Sequence, residues 1–315
     1  MDRSAQRALL VIGAVLIVGL VATALVLTRA GSGHGSAVDT TRLNAELTGS
    51  VKEPPPPPRG AVVLAREAGA RAVALAVTRG ASARLTATVL SSSGGGESGL
   101  ALSFRVGARP ALRARSCGRG CYTAHLPGGA FPRRVEVLFA GRSVAFRIPA
   151  EARPAAGIVR RAARVFRGLR SLVFVESLRS GPSGGILTTW RLRAPDEVTY
   201  RIHGGASAVV IGRTRWDRDT PDAPWRRSSQ LPPLQVPQPT WGDVAIDAHV
   251  IGTARVAGRP VWVVTFVNPT TPAWFTAWID RRSYRTLQLR MTASAHFMFH
   301  RYESFDRPLR VRPPK

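Results

Sequence analysis

The chain contains 315 residues, of which 44% are hydrophobic, and its 45 Lys and Arg residues against 19 Asp and Glu give a net charge of +26. This hydrophobic fraction excludes a largely disordered chain, and the length predicts one or two folded cores plus terminal segments. The sequence has only two cysteines, which excludes a disulfide-dense scaffold and a multi-cysteine metal cluster.

The first predicted element is a membrane anchor at residues 8–28. Residues 8–27 carry no charge, whereas Arg3, Arg7 and Arg29 flank them. A helix of this length spans a bilayer core of roughly 30 Å, and the apolar run is longer than that of a typical cleavable signal peptide. We therefore expect a single-pass protein of the cell membrane, with a cytoplasmic tail at 1–7 and the bulk of the chain extracytoplasmic.

A stalk and a small β-domain are predicted after the anchor. Residues 29–59 are rich in Gly, Ser and Thr and include five consecutive prolines at 54–58, which favours an extended spacer. Residues 60–150 contain short apolar runs separated by turn residues about every ten positions. This spacing is typical of an Ig-like antiparallel β-sandwich.

One amphipathic helix is predicted at 154–170, at the start of a domain covering 151–315. Ile158, Val159, Ala162 and Phe166 share one face of this helix, and arginines occupy the opposite face. The apolar face is expected to pack on a sheet, although a basic amphipathic helix can also lie on an anionic membrane. Further short strands after the helix predict an antiparallel meander.

The stretch 287–300 is predicted to form one long strand, because apolar and polar residues alternate throughout it. One face of this strand would be apolar, and the other would expose His296 and His300 to solvent. Together with neighbouring aromatic residues, the apolar face is interpreted as the wall of a cavity for an acyl chain, although ordinary core packing explains the same pattern. The candidate cavity residues are Trp262, Phe266, Leu287, Leu289, Met291, Phe297 and Phe299.

Cys117 and Cys121 lie four residues apart beside glycines. Outside the cytoplasm such a pair most simply forms a local disulfide. The surrounding sandwich is similar to small domains of bacterial copper-resistance proteins, and two soft thiolates also suit Cu(I). Both interpretations of Cys117 and Cys121 stay open, and no other metal site is predicted.

The second half of the chain resembles a known superfamily. The residues that carry the resemblance are Trp190 to Tyr200, Val209 to Gly212, Arg215, Trp216, Trp225, Trp274, Phe275, Ile279, Asp280, and the closing stretch from Met291 to Tyr302. They are similar to LolA-like lipoprotein-sorting proteins and to the LppX/LprG-type lipid carriers of actinobacteria. The resemblance implies an antiparallel half-barrel, capped by helices, that binds acyl chains of lipids or lipoproteins on its concave face. The chain departs from the family in having one clear helix and no lipobox.

The fold class expected is therefore mostly β, and the function expected is binding or transfer of membrane lipids or lipoprotein acyl chains. No nucleophile elbow, phosphate-binding loop or zinc-protease motif occurs, so neither an enzyme nor a cofactor is predicted. The scattered arginines predict no nucleic-acid binding but attraction to anionic lipids or envelope polymers. The alternatives are a copper-handling accessory protein and an envelope-stress sensor whose half-barrel contacts an unknown protein partner. The lipid hypothesis requires a hollow interior.

Overall fold

The computed structural model describes residues 54–80, 82–126, 131–241, 245–269 and 272–315. The predicted cytoplasmic tail, the anchor at 8–28 and most of the stalk lie outside the described residues. Within the described ranges, no helix combines the length and the apolar character needed to cross a bilayer. Strands dominate these ranges, as the alternating apolar pattern predicted.

The first nine strands form two antiparallel sheets, one in the order β1-β2-β3-β7-β6 and the other in the order β5-β4-β8-β9. Alternate side chains of both sheets, among them Leu75, Phe104 and Phe146, meet in one buried core. This is the arrangement of a sandwich, in which each sheet buries one face against the other. The strands are β1 (Val62–Ala68), β2 (Arg71–Thr78), β3 (Ala83–Leu90), β4 (Ser103–Arg105), β5 (Leu112–Arg113), β6 (Arg115–Gly118), β7 (Cys121–Leu126), β8 (Arg134–Phe139) and β9 (Arg142–Arg147).

The remaining strands form one twelve-stranded antiparallel sheet, in the order β10-β17-β18-β19-β20-β21-β11-β12-β13-β14-β15-β16. Two meanders are joined in its middle, where β11 pairs with β21. The strands are β10 (Arg153–Pro154), β11 (Ser171–Arg179), β12 (Ile186–Arg193), β13 (Glu197–Ile202), β14 (Ser207–Ile211), β15 (Thr214–Arg218), β16 (Arg226–Ser229), β17 (Ile246–Val256), β18 (Arg259–Asn268), β19 (Ala273–Asp280), β20 (Thr286–Ala293) and β21 (His296–Phe305).

The single helix of the described ranges, α1, spans Ala156–Arg167 and is shorter than predicted. Pro154 belongs instead to β10, which pairs with β17, and Gly168 ends the helix with its N–H on the carbonyl of Arg164. Val159, Ala162 and Phe166 are buried against the twelve-stranded sheet, and the arginine face is turned outward. We call the side of this sheet that packs on α1 the inner face and the opposite side the outer face.

The prediction of one continuous strand at 287–300 is wrong. β20 and β21 form a hairpin in which Ala293 pairs with His296, and Ala295 at the turn has a φ of 47°. In a continuous strand, residues three apart would lie on opposite faces, but paired residues of a hairpin lie on the same face. The turn therefore inverts the alternation and brings His296, Met298 and His300 to the inner face.

The outer face around β18, β19 and β21 packs on the sandwich. Val267, Trp274 and Phe297 are buried there against Val63 and several alanines of β1 and β2. At the edge of this contact, Arg179 forms an ion pair with Glu67. The contact explains why apolar residues occupy both faces of these strands, since each face is covered by another layer.

Candidate functional site

The inner face of the twelve-stranded sheet is largely apolar. Phe174, Trp190, Phe266 and Phe275 give it an aromatic lining, with Phe174 stacked on Trp190 and Phe266 stacked on Phe275 at centroid distances of 6.0 and 5.2 Å. Other buried inner-face residues are Leu172, Leu178, Leu192, Val198, Val210, Val264, Ala277, Ile279, Leu289, Met291, Ala293 and Met298. All of them belong to one cluster with α1.

The structure brings together part of the predicted cavity set. Phe266, Leu289 and Met291 are buried on the inner face, and Trp262 packs against the same cluster. Leu287 is buried at an irregularity in the pairing of β19 with β20, outside this cluster.

Phe297 and Phe299 do not share the face of Leu289 and Met291, contrary to the prediction. The hairpin places both on the outer face, where Phe297 packs under the sandwich. Phe299 lies edge-on to Trp278 at a centroid distance of 6.3 Å. These two phenylalanines therefore cannot line a cavity on the inner face.

The inner face is filled by the protein's own residues. The connection from β16 to β17 joins strands near opposite edges of the sheet, ten strand positions apart and thus about 48 Å along it. Even fully extended, this connection reaches at most about 60 Å at roughly 3.5 Å per residue, so it must cross the sheet by a short route. Residues 230–241, which we call the crossing segment, contribute Leu234, Val236 and Trp241 to the inner core.

Trp241 anchors the crossing segment between the helix and the sheet. Its side chain is 1% exposed and lies edge-on to Phe166 of α1 at 5.7 Å and to Phe266 of β18 at 5.9 Å. Few backbone bonds hold the segment: Val236 donates its N–H to the carbonyl of Pro195, and Gln230 donates to that of Arg213. The cover of the inner face thus depends on side-chain packing more than on a hydrogen-bonded ladder.

A polar cluster lies inside this apolar core. His300 Nε2 is 2.7 Å from a carboxylate oxygen of Glu176, and His300 Nδ1 is 3.0 Å from the hydroxyl oxygen of Tyr302. His300 is fully buried and Glu176 is 2% exposed. An ionised carboxylate only accepts hydrogen bonds, so Nε2 is the nitrogen that donates to Glu176. This pairing satisfies a carboxylate that would otherwise be strongly destabilising in an apolar core.

Burial changes the titration of two groups beside this pair. Desolvation, with a smaller contribution from nearby His300, lowers the pKa of His296 to about 4, so its imidazole is neutral at pH 7. Its Nε2 is buried without a hydrogen-bond partner in the described residues. Desolvation also raises the pKa of Tyr302, although a hydrogen bond with Thr240 opposes the shift. The prediction that His296 and His300 are solvent-exposed is wrong, because the hairpin turns them inward.

The sequence contained one signal for this cluster. In β11, Glu176 falls in the same alternation phase as Leu172, Phe174 and Leu178, which predicts a buried carboxylate. Its partner could not be identified without the pairing of β11 with β21, which places Glu176 opposite His300.

Cys117 and Cys121 are joined by a disulfide, with their Cα atoms 5.0 Å apart. Both sulfur atoms are therefore bonded to each other and are not thiolates in this state. Among the described residues, no group of three or more His, Cys, Asp or Glu side chains is arranged to hold a metal ion. The disulfide interpretation of this pair is confirmed.

Comparisons with known proteins give low-scoring structural similarities. The lipoprotein LppX of Mycobacterium tuberculosis aligns over 50% of this chain and 97% of its own, at 15% identity and a TM-score of 0.40. LprF of Mycobacterium bovis covers 51% of this chain and 96% of its own, at 10% identity and a TM-score of 0.38. A LolA-superfamily protein of Nitrosomonas europaea aligns over 51% of this chain and 96% of its own, at 10% identity and a TM-score of 0.25.

No protein-family model matches the sequence, and a search of curated proteins gives no match. These TM-scores are too low for the similarities to carry a functional argument. What the chain itself offers is an apolar inner face closed by α1 and the crossing segment.

Proposed function

We propose that this protein is an extracytoplasmic binding protein, not an enzyme, whose inner face holds the acyl chain of a membrane lipid or lipoprotein. The observation that carries the proposal is the broad aromatic and aliphatic surface formed by strands β11–β14 and β17–β21. One helix and an irregular segment cover it, where a sandwich would place a second sheet. In this proposal the twelve strands form a half-barrel around a closed acyl-binding groove.

The bound state would replace the crossing segment with ligand. Leu234, Val236 and Trp241 now bury their side chains where an acyl chain would lie. Each methylene buried contributes about 0.8 kcal/mol, so a chain of some sixteen carbons could offset the loss of these three contacts. Irregular segments with few backbone bonds open at lower free energy than strands. Met291 and Met298 would adapt to the new occupant because their side chains are flexible.

Location outside the cytoplasm is supported by chemistry on the chain. Disulfides persist in oxidising compartments and are rare in the cytosol, and the Cys117–Cys121 bond lies in a hairpin-like turn of the sandwich. The uncharged run at 8–27 would hold the protein at the cell membrane. Such an anchor would keep the inner face within reach of the bilayer.

The test is binding of a fluorescent fatty-acid probe to the full-length chain, with native mass spectrometry to detect co-purifying lipid. Trp241→Ala should increase probe affinity at least tenfold, because it removes the largest side chain that competes for the groove. Trp278→Ala is the matched control, since Trp278 lies edge-on to Phe299 on the outer face, and it should leave probe affinity unchanged. Absence of lipid and of probe binding in the wild type and in Trp241→Ala would refute acyl binding.

A second candidate is a protein-contact function, as in a sensor of the cell envelope. The observation that favours it is that the protein's own side chains fill the inner face. In that case the sheet would serve as a scaffold, and Trp241→Ala would lower stability without creating probe binding.

A further inference from the structure

A second surface feature lies on the outer face, beyond the part that the sandwich covers. A groove of about 630 Å³ crosses strands β12–β15 close to the turn between β13 and β14. Arg191, Arg201 and Arg218 line it together with His203 and Trp225, and the lining includes no acidic residue. The inner-face proposal makes no use of this groove.

The strand register explains why these arginines converge. Thr189, Arg201, Ser207 and Arg218 lie directly opposite one another on four adjacent strands, and therefore point to the same face. Arg201 and Arg218 flank Ser207, so their Cα atoms are roughly 10 Å apart, which is two strand spacings. Arg191 lies two residues along β12 from Thr189 and projects from the same face.

Among the described residues, no carboxylate lines the groove. Arg191 and Arg201 form no ion pair with any residue in the described ranges, and the nearby carboxylates of Asp217 and Asp219 are paired with Arg215 and Arg226. Arg218 lies over the ring of Trp225 at 4.7 Å from the centroid. Like charges at neighbouring strand positions are destabilising, and a bound anion would relieve this repulsion.

Two buried polar atoms in the groove have no hydrogen-bond partner within the described part of the chain: Ser207 Oγ and Arg218 Nε. Ser207 is only 6% exposed. A buried donor without a partner costs free energy, so such groups in a folded protein indicate a ligand or ordered water. Both atoms belong to residues that line the groove, beside the cationic side chain of Arg201.

We propose that this groove binds a phosphate group, carried by a lipid headgroup or by a soluble phosphate ester. Arg201 and Arg218 donate charge-assisted hydrogen bonds to the phosphate oxygens from opposite sides, because the planar guanidinium group can donate two parallel hydrogen bonds to a phosphate. The Ser207 hydroxyl donates a further hydrogen bond from the floor. Trp225 and Arg191 form the walls, and Trp225 offers an aromatic ring to the alcohol or sugar attached to the phosphate.

The experiment measures binding of three probes to the full-length chain by equilibrium dialysis: inorganic phosphate, glycerol 3-phosphate and a soluble short-chain phosphatidylglycerol. Arg201→Gln should weaken binding at least tenfold, because it removes a charge-assisted contact. Ser207→Ala should weaken binding several-fold with no change in net charge. The matched control is Arg160→Gln, which removes one exposed arginine of α1 and should change binding less than twofold.

Binding of the soluble probes and the lipid with similar affinity would assign the groove to phosphate esters in general, and binding of the lipid alone would assign it to headgroups. Both results support the proposal provided that Arg201→Gln and Ser207→Ala weaken them. Failure of all three probes at millimolar concentration would overturn it. Equal weakening by Arg201→Gln and Arg160→Gln would also overturn it, because the attraction would then depend on net charge alone. Neither outcome depends on whether the inner face binds acyl chains.

Discussion

The buried Glu176–His300 pair should control the stability of the twelve-stranded sheet. The side chains of His300 and Glu176 are 0% and 3% exposed, and their closest atoms are 2.7 Å apart. Glu176→Leu would leave the His300 donor without its acceptor, and His300→Leu would leave a carboxylate alone in an apolar core. Removing one partner of a buried pair costs about 3 to 5 kcal/mol. For a domain of this size, the midpoint of thermal unfolding should fall by roughly 6 to 20 °C.

The double variant Glu176→Leu with His300→Leu distinguishes pairing from simple loss of contacts. Replacing both partners with apolar residues of similar volume is often neutral or stabilising, so the double variant should be more stable than either single variant. Urea unfolding followed by tryptophan fluorescence measures all four proteins in one cycle. The reasoning is refuted if the losses of the single variants add in the double variant. Glu303→Leu is the control, because its ion pair with Arg301 is largely exposed and should contribute less than about 1 kcal/mol.

Three further predictions concern other sites. The pKa of His296 is lowered from 6.5 to about 4, so on acidification the unfolded chain binds a proton at this site before the folded protein does, and the free energy of unfolding should fall by about 2 kcal/mol between pH 7.5 and pH 5. In His296→Leu, the free energy of unfolding should depend less on pH over this window. If the variant keeps the pH dependence of the wild type, His296 is not its cause. Ala295→Gly should increase the free energy of unfolding by about 0.5 to 1 kcal/mol, because Ala295 has a positive φ; a decrease would argue against the hairpin turn. Cys117→Ser with Cys121→Ser should reduce stability by about 2 kcal/mol, as expected for so short a loop, while alkylation of the untreated protein should detect no free thiol.

Alternation along the strands predicted much of the β-structure, because a strand that buries one face repeats every two residues. It was misleading at 287–300 for a specific reason. The turn at Ser294 and Ala295 contains no Gly, Pro or Asn, and the outer face at Phe297 is apolar because the sandwich covers it. Apolar residues therefore continue at every second position through the turn, although they lie on the inner face in β20 and on the outer face in β21. Only the pairing of Ala293 with His296 distinguishes a hairpin from one long strand.

The candidate sites depend on long-range pairing that one sequence does not contain. Arg201, Ser207 and Arg218 form one row only because two consecutive hairpins align them, and the scattered arginines gave no indication of this. Likewise, the sequence of residues 230–241 carries no periodic pattern that would place it over the inner face. Their burial follows from sheet order, since they must join strands near opposite edges.

The pairing of β11 with β21 has a consequence for biogenesis. These partners are about 120 to 130 residues apart along the chain, whereas nearly all other strand pairs of the sheet are local hairpins. Contacts of such separation form slowly because the loop that they close is long. During synthesis, the central seam can close only after β21 has emerged, and until then β11 and β20 present open edges prone to intermolecular association.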